Sequence, residues 1–391
     1  MHAIADTERL VTDGIITDEQ ARTIEARARE AMVYLAINTI LCFGIIAATG
    51  GLIAWLGTPF SVAIFGLLSL GLGLSILRKD TEMYRMFGNA SALIGASMLI
   101  IGGSLELTDK YQDAAGTIMV VIGLGIASLA VWSLRVGRTS ARFLAGAIML
   151  LGLGMHLWGF AFVLDRGDIS GALVSFFYLY AAAALVGAGW LTDVRLVTVL
   201  AIVPFAQALD TGTFYYRAYY VFYSPETTLS IIQMTALVIA CVWIAANSSE
   251  RLARHARVLA VMAFIVANLC ALVGSLWGDY VGETIWGPGG YGSARFAFRE
   301  TALFLSENLY SVLWAATLAV LALWAASKAQ RGLFNATLTF AGIHAYTQMF
   351  ESFWDQPLTY VIGGFAAIPL AWGMWRLDRW IAVRRDPKER L

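Results

Sequence analysis

The chain has 391 residues, 59% of them hydrophobic and only 14% charged, with a mean hydropathy of +0.69. A soluble globular domain carries about 25% charged residues, so this composition excludes one. The 27 basic residues balance 27 acidic ones, which argues against nucleic acid as a partner.

The apolar residues come in blocks of about 18–21, the length at which a helix crosses a hydrocarbon core of about 30 Å. A chain in lipid has to satisfy its own backbone hydrogen bonds, so these blocks are expected to be helices. The alternation over about 10 residues that marks an outer-membrane barrel is missing. The sequence therefore predicts an all-α polytopic transmembrane helical bundle. Cys42, Cys241 and Cys270 lie inside apolar blocks and read as small core residues rather than as disulfides or metal ligands.

Residues 1–30 carry charges throughout and lack the apolar core of a signal peptide. They read as a cytoplasmic helical hairpin turning at Asp13–Gly14. Thr17 and Gln20 stand at capping-box spacing at the start of its second helix. It reads either as a lead-in helix to the first span or as a docking handle for a cytoplasmic partner.

Twelve spans follow. Residues 31–191 hold the first six, at about 32–56, 59–77, 87–104, 114–134, 143–163 and 171–191. Residues 192–380 hold the second six, at about 196–209, 227–247, 258–277, 309–327, 333–350 and 358–377, and residues 381–391 form a tail. Alternate loops put 22 of the 27 basic residues on one side and leave Lys110, Arg166, Arg217, Arg295 and Arg299 on the other. By the positive-inside rule both termini, and the tail, are cytoplasmic.

Leu196–Leu209 is short for a span and contains Pro204, so it is expected to be kinked or partly re-entrant. It leads into Phe214–Tyr223, read as an interfacial aromatic belt, with a substrate-stacking surface as the alternative. The largest loop, 278–308, lies on the outer side. A short helix is expected in it from about Ser293, carrying Arg295, Arg299 and Glu300, and the loop reads either as a lid or as an interfacial helix.

The chain echoes itself. Gly154-Met155-His156 with Trp158 and Phe162 in the fifth span matches Gly342-Ile343-His344 with Tyr346 and Phe350 in the eleventh. Gly103-Ser104-Leu105 with Asp109 in the third matches Gly274-Ser275-Leu276 with Asp279 in the ninth. Equivalent positions in two sets of six predict a 6+6 parallel duplication about an axis along the membrane normal.

Acids gather at the outer ends of the odd spans: Glu106 and Asp109, Asp165, Asp210, Asp279 and Glu283, Glu351 and Asp355. A carboxylate at a helix C-terminus opposes the macrodipole. Its repetition reads either as helix capping and solvation or as a vestibule for a cation or cationic substrate. His156 and His344 sit at membrane depth, where an ionisable group usually faces the bundle interior or a water-filled cavity. There a histidine relays protons, gates or binds a metal, or is simply a neutral interhelical hydrogen-bonding partner. Gln348 and Glu351 continue the His344 face as a polar stripe.

No nucleotide-binding loop, paired-cysteine motif or hydrolase motif occurs, and no cofactor is implied. Arg78-Lys79-Asp80 after the second span lacks the Gly-led motif of the major facilitators.

The opening run LVTDGIITDEQARTIEAR, and the ending YTQMFESFWDQP with a further span and WRLDRW, resemble a widespread family of bacterial inner-membrane proteins of unknown function that begin with a short cytoplasmic hairpin. The resemblance implies a bacterial inner-membrane protein and supplies no catalytic residue. The 278–308 loop and the histidine pair have no counterpart in it.

The function expected is transport of a small molecule or ion through a pathway between the two halves. Its candidate residues are His156, His344, Gln348, Glu351, Asp355, Asp210, Asp279 and Glu283. The alternatives are a non-catalytic envelope scaffold, and a membrane enzyme acting on a lipid-linked or envelope substrate at the outer face with Glu351 or Asp355.

Overall fold

The computed structural model describes residues 7–78, 82–136, 142–209, 214–216, 221–224, 226–288, 293–328 and 330–353, with isolated residues between 356 and 376. The last expected span and the tail therefore lie largely outside the described residues. The chain is an all-α membrane protein: among the described residues, 8 helices are long and apolar enough to cross a membrane by length and composition. It divides into two compact units, Met1–Ile169 and Ser170–Leu391.

In the first unit, α1 (Thr7–Thr12) and α2 (Asp18–Leu56) make the expected hairpin, with Gly14 at φ +69° in its turn. Both bonds of the capping box form: the Thr17 amide donates to Gln20 Oε1 at 3.0 Å, and the Gln20 amide to Thr17 Oγ1 at 3.3 Å. With its start fixed, α2 runs 39 residues into the first apolar block without a break.

Two tight hairpins follow, α3 (Pro59–Arg78) with α4 (Glu82–Lys110), and α5 (Gln112–Val136) with α6 (Arg142–Arg166). Glycine makes them possible. A Cβ on Gly95 would lie 2.7 Å from the Gly66 carbonyl, and one on Gly66 2.9 Å from the Gly95 carbonyl. Gly123 and Gly152 oppose each other in the same way between α5 and α6, at 2.7 and 3.0 Å. Gly66 and Gly73, Gly95 and Gly102, Gly116 and Gly123, and Gly152 and Gly159 are each spaced by seven, so each helix offers its partner one smooth groove.

The second unit opens with α7 (Ala172–Thr192), α8 (Arg195–Leu200) and α9 (Ile202–Gln207). The apolar segment around Pro204 is thus two short helices rather than one. Pro204 has no amide for the Leu200 carbonyl, and the helix interrupts at Ala201 beside it. The aromatic run forms a hairpin of β1 (Phe214–Tyr216) and β2 (Val221–Tyr223), paired Phe214 with Tyr223.

Next come α10 (Thr227–Asn247) and α11 (Glu250–Trp277), which pack through Ala256, Ala260 and Ala263 of α11 against Met234 and Cys241 of α10. The 278–308 loop folds as β3 (Asp279–Tyr280), α12 (Ser293–Thr301) and β4 (Phe304–Leu305), with β3 and β4 antiparallel. Helices α13 (Glu307–Ser327) and α14 (Arg331–Phe353) complete the described elements. Cys241 and Cys270 are buried thiols.

Helix α7 falls in the second unit, where a polar staple holds its end. His255 of α11, only 1% exposed, bonds through Nδ1 to Thr198 Oγ1 at 2.7 Å and through Nε2 to Asp193 Oδ1 at 3.2 Å. Arg251 donates to the Trp190 carbonyl at 2.5 Å and the Leu191 carbonyl at 3.1 Å, capping α7 with a cation where its dipole favours one. The His255 hydrogen bond, with Arg254 and Arg251 nearby, holds the Asp193 carboxyl below its ordinary range.

Replacing Gly95 by leucine is expected to separate α3 from α4, since its Cβ would fall on the Leu70 amide. Overpacking costs about 1–3 kcal/mol, more where backbone must move. The thermal midpoint of Gly95→Leu in detergent, followed by size exclusion, should fall clearly, while Gly103→Leu, with no atom within 4 Å of its Cβ, should not.

Candidate functional site

Most of the buried charge of the second unit is at one end of α10, α11 and α13, under the 278–308 loop. Three carboxylates, Glu226, Asp279 and Glu283, are 2%, 5% and 8% exposed. An unpaired buried charge is costly, so each needs its own set of donors.

Glu226 precedes the first turn of α10. Its Oε1 accepts the Gly282 amide at 2.6 Å, and its Oε2 the Thr284 amide at 2.9 Å and the Thr284 hydroxyl. The turn 281–286 is wrapped on this carboxylate, with Gly282 at φ +85° against the Trp286 ring. Glu283 leaves the same turn toward α12, where Arg295 Nε donates to Oε1 at 2.7 Å and Arg299 Nε at 2.6 Å. Arg299 also reaches Oε2 at 3.0 Å and stacks 4.9 Å from the centre of the Tyr280 ring. Burial would raise the Glu283 carboxyl, but the two guanidinium groups hold it down to about 2.

Asp279 is bound differently. Its Oδ2 accepts the Thr228 amide at 2.8 Å, the Thr228 hydroxyl, and the Tyr310 hydroxyl at 3.3 Å. All of its donors are neutral, so burial pushes this carboxyl above its ordinary range despite the Thr228 bonds, and Glu226 adds to the rise. Gly274 lets the Tyr310 ring lie against α11, where a Cβ would meet it at 2.6 Å.

A polar seam continues from here into the bundle. Trp314, one turn beyond Tyr310 on α13, donates through Nε1 to Asn268 Oδ1 of α11 at 2.9 Å. Its ring meets the edge of His344 of α14 at 4.6 Å between centres. His344 Nδ1, Gln348 Nε2 and Thr337 Oγ1 are buried atoms with no hydrogen-bond partner among the described residues. They stand at i, i+7 and i+11 on α14, which is one face of a helix.

Of the residues singled out in the sequence, the structure brings Asp279 and Glu283 together under the loop and places His344 and Gln348 on one face of α14. Glu351 is exposed at the end of that helix. Asp210 and Asp355 lie outside the described residues. His156 belongs to the first unit, where its Nδ1 donates to the Val120 carbonyl of α5 at 2.8 Å. The Gly-Ser-Leu echo does not extend to surroundings: Gly103 faces open space and Asp109 is exposed, whereas Gly274 and Asp279 are packed. Sequence reasoning missed Glu226, Tyr310, Trp314 and His255. Glu226 had one signal, an acid immediately ahead of an apolar block, which marks a helix N-terminus but not a buried loop anchor. Among the described residues no group of three His, Cys, Asp or Glu side chains could hold a metal ion.

The loop's attachment should depend on pH through Glu283. Its folded value is lowered, so its contribution is complete above the ordinary glutamate value of about 4.5 and is lost as pH falls from there toward about 2. Pepsin should cut between Trp286 and Phe304 only in the lower part of that window. Glu283→Gln should loosen the loop already at neutral pH, by about 1–3 kcal/mol, giving faster cleavage there by a neutral protease. Glu300→Gln, at an exposed position on α12, should not.

Comparison with known proteins finds no matching family model, no matching curated protein and no matching solved structure.

Proposed function

We propose that this protein is a carrier of a small polar solute across the bacterial inner membrane, and that the path in its second unit runs along α14 beside α11 and α13. One observation carries this reading: three buried polar atoms, on Thr337, His344 and Gln348, share one face of α14 and have no partner among the described residues. Buried polar atoms in a native fold are almost always bonded, to protein or to something the protein holds. Over 11 residues the file is about 16 Å long, too long for one small ligand and suited to a succession of waters or solute positions.

The sequence expectation of a cation vestibule gains no support from the outer loop, because Glu226 and Glu283 are consumed by amides and guanidinium groups. A neutral hydrogen-bonding solute fits the uncharged side chains of the file better.

Twelve spans with both termini cytoplasmic are part of the same proposal. So is the 6+6 duplication, which is supported by the order of hairpins: α3 with α4 and α5 with α6 in one unit, α10 with α11 and α13 with α14 in the other. The scaffold reading keeps one observation in its favour, the exposed Trp286 and Phe296 on the outer loop.

Flux decides between them. The purified protein in liposomes should speed osmotic swelling in glycerol or urea. His344→Ala and Gln348→Ala should each cut that rate about tenfold, the equivalent of one hydrogen bond of about 1.4 kcal/mol, with little loss of assembled protein. His156→Ala should instead lower the yield of assembled protein. Swelling no faster than in empty liposomes, for both solutes, would leave the scaffold reading standing alone.

A further inference from the structure

The hydroxyl groups at the loop end of the seam form a chain with one direction. Thr227 Oγ1 donates to Tyr310 Oη at 2.9 Å. Tyr310 Oη and Thr228 Oγ1 are 2.5 Å apart, and the Thr228 hydroxyl donates to Asp279 Oδ2. With the one Tyr310 proton donated to Thr228 rather than to Asp279, Tyr310 and Thr228 each accept one proton and give one, and the row that Thr227 begins ends on a carboxylate. The structure puts no Lys, Arg or His in an ion pair with Asp279 among the described residues, in contrast to Glu283.

Farther along the seam stands a second titratable group. His344 lies against Trp314, one turn of α13 beyond Tyr310, and its Nδ1 is buried with no partner among the described residues to fix its proton. The two are different in kind from His156, whose Nδ1 proton is committed to a carbonyl.

We propose that the loop end of the seam takes up protons, with Asp279 as the proton-binding group and the Thr228, Tyr310 and Thr227 hydroxyls as the relay. The inference rests on the carrier reading for its biological sense and makes the proton the coupling ion of that carrier. The step balances without a co-reactant. As a proton from the medium is taken up at Thr227 Oγ1, the Thr227 proton passes to Tyr310 Oη, the Tyr310 proton to Thr228 Oγ1 and the Thr228 proton to the Asp279 carboxylate. Only O–H bonds break and form, and the row is left with its direction reversed.

The titratable groups that act on Asp279 are Glu226 at the start of α10 and Tyr310 of α13. Glu283 with Arg295 and Arg299, one carboxylate on two guanidinium groups, keeps a net positive charge, and Glu226 is the anionic neighbour of Asp279. It favours the protonated form of Asp279, as burial does.

The test uses the full-length protein in liposomes, with two readouts. Infrared difference spectra between acid and neutral pH should show a carboxylic-acid carbonyl band that is lost in Asp279→Asn and shifted in midpoint in Tyr310→Phe. A pH-sensitive dye trapped inside should report proton uptake that is lost in Asp279→Asn and Tyr310→Phe. Tyr310→Phe keeps the ring against Gly274, so it serves if Asp279→Asn fails to assemble. Spectra unchanged by both variants, or proton uptake undiminished in both, would overturn the proposal. Glycerol swelling separates the two readings. Swelling without proton uptake keeps the carrier and removes the proton, whereas uptake without swelling keeps the proton path and removes the solute.

Discussion

Everything in this fold depends on how closely its helix backbones approach one another. In a bilayer an apolar helix gains no hydrophobic advantage by leaving lipid for another helix, so pairing has to come from direct contact. The first unit achieves that with reciprocal glycine pairs, Gly66 with Gly95 and Gly123 with Gly152, each of which seats one backbone against the carbonyl of the other. The second unit uses alanines at similar intervals along α11, where Ala256 and Ala263 are seven apart, and reserves glycine for Gly274, where a tyrosine ring has to pass. The polar groups follow from this scaffold. Tyr310 reaches Asp279 because Gly274 leaves room, and the His156 bond to Val120 forms across the groove that Gly123 opens.

The second unit then solves the problem of a buried carboxylate in three ways at one end. Glu226 is satisfied by two amides and a hydroxyl, Glu283 by two guanidinium groups, and Asp279 by neutral donors alone. These are electrostatically unequal. Backbone amides and cations stabilise the charged form, and the first two carboxylates act as fixed anchors that hold the loop to the bundle. Asp279 also accepts one amide, but its other two donors are hydroxyls, which can donate to a carboxylate or accept from a carboxylic acid. A single cluster therefore combines a rigid cap with one labile proton position.

Sequence patterning made the membrane class, the helical lengths, the capping box at Thr17, the break near Pro204 and the short helix from Ser293 legible. Each rests on a local rule: block length, a four-residue spacing, a missing amide, a turn-rich flank. It did not reveal which acids meet. Asp279 and Glu226 are 53 positions apart, and nothing local in either stretch signals that one turn of the loop folds onto both; only the packing of α10 against α11 brings them together. The aromatic run at 214–223 was read as an interfacial belt because its bulk outweighs its alternation, and its strand pairing was missed for that reason. The tie between the end of α7 and α11 was also hidden, since the His255 staple joins residues more than 50 positions apart.

The histidine echo shows most clearly why a motif in lipid does not carry its own meaning. His156 and His344 share neighbours in sequence, and both Gly154 and Gly342 have open space beside them. What differs is the facing helix. Across from His156, α5 comes close enough at Gly123 to offer a backbone carbonyl, and a hydrogen bond to a carbonyl commits the imidazole to one tautomer. Across from His344, α13 presents the bulk of Trp314, whose own N–H is already given to Asn268, so the imidazole meets a ring edge and keeps Nδ1 unspent. A single glycine-to-tryptophan difference in the partner helix thus separates a structural histidine from one with a proton still to place. The same comparison explains why the polar file runs along α14 and has no counterpart on α6: a file requires partners that decline to bond, and close backbone contact supplies the opposite.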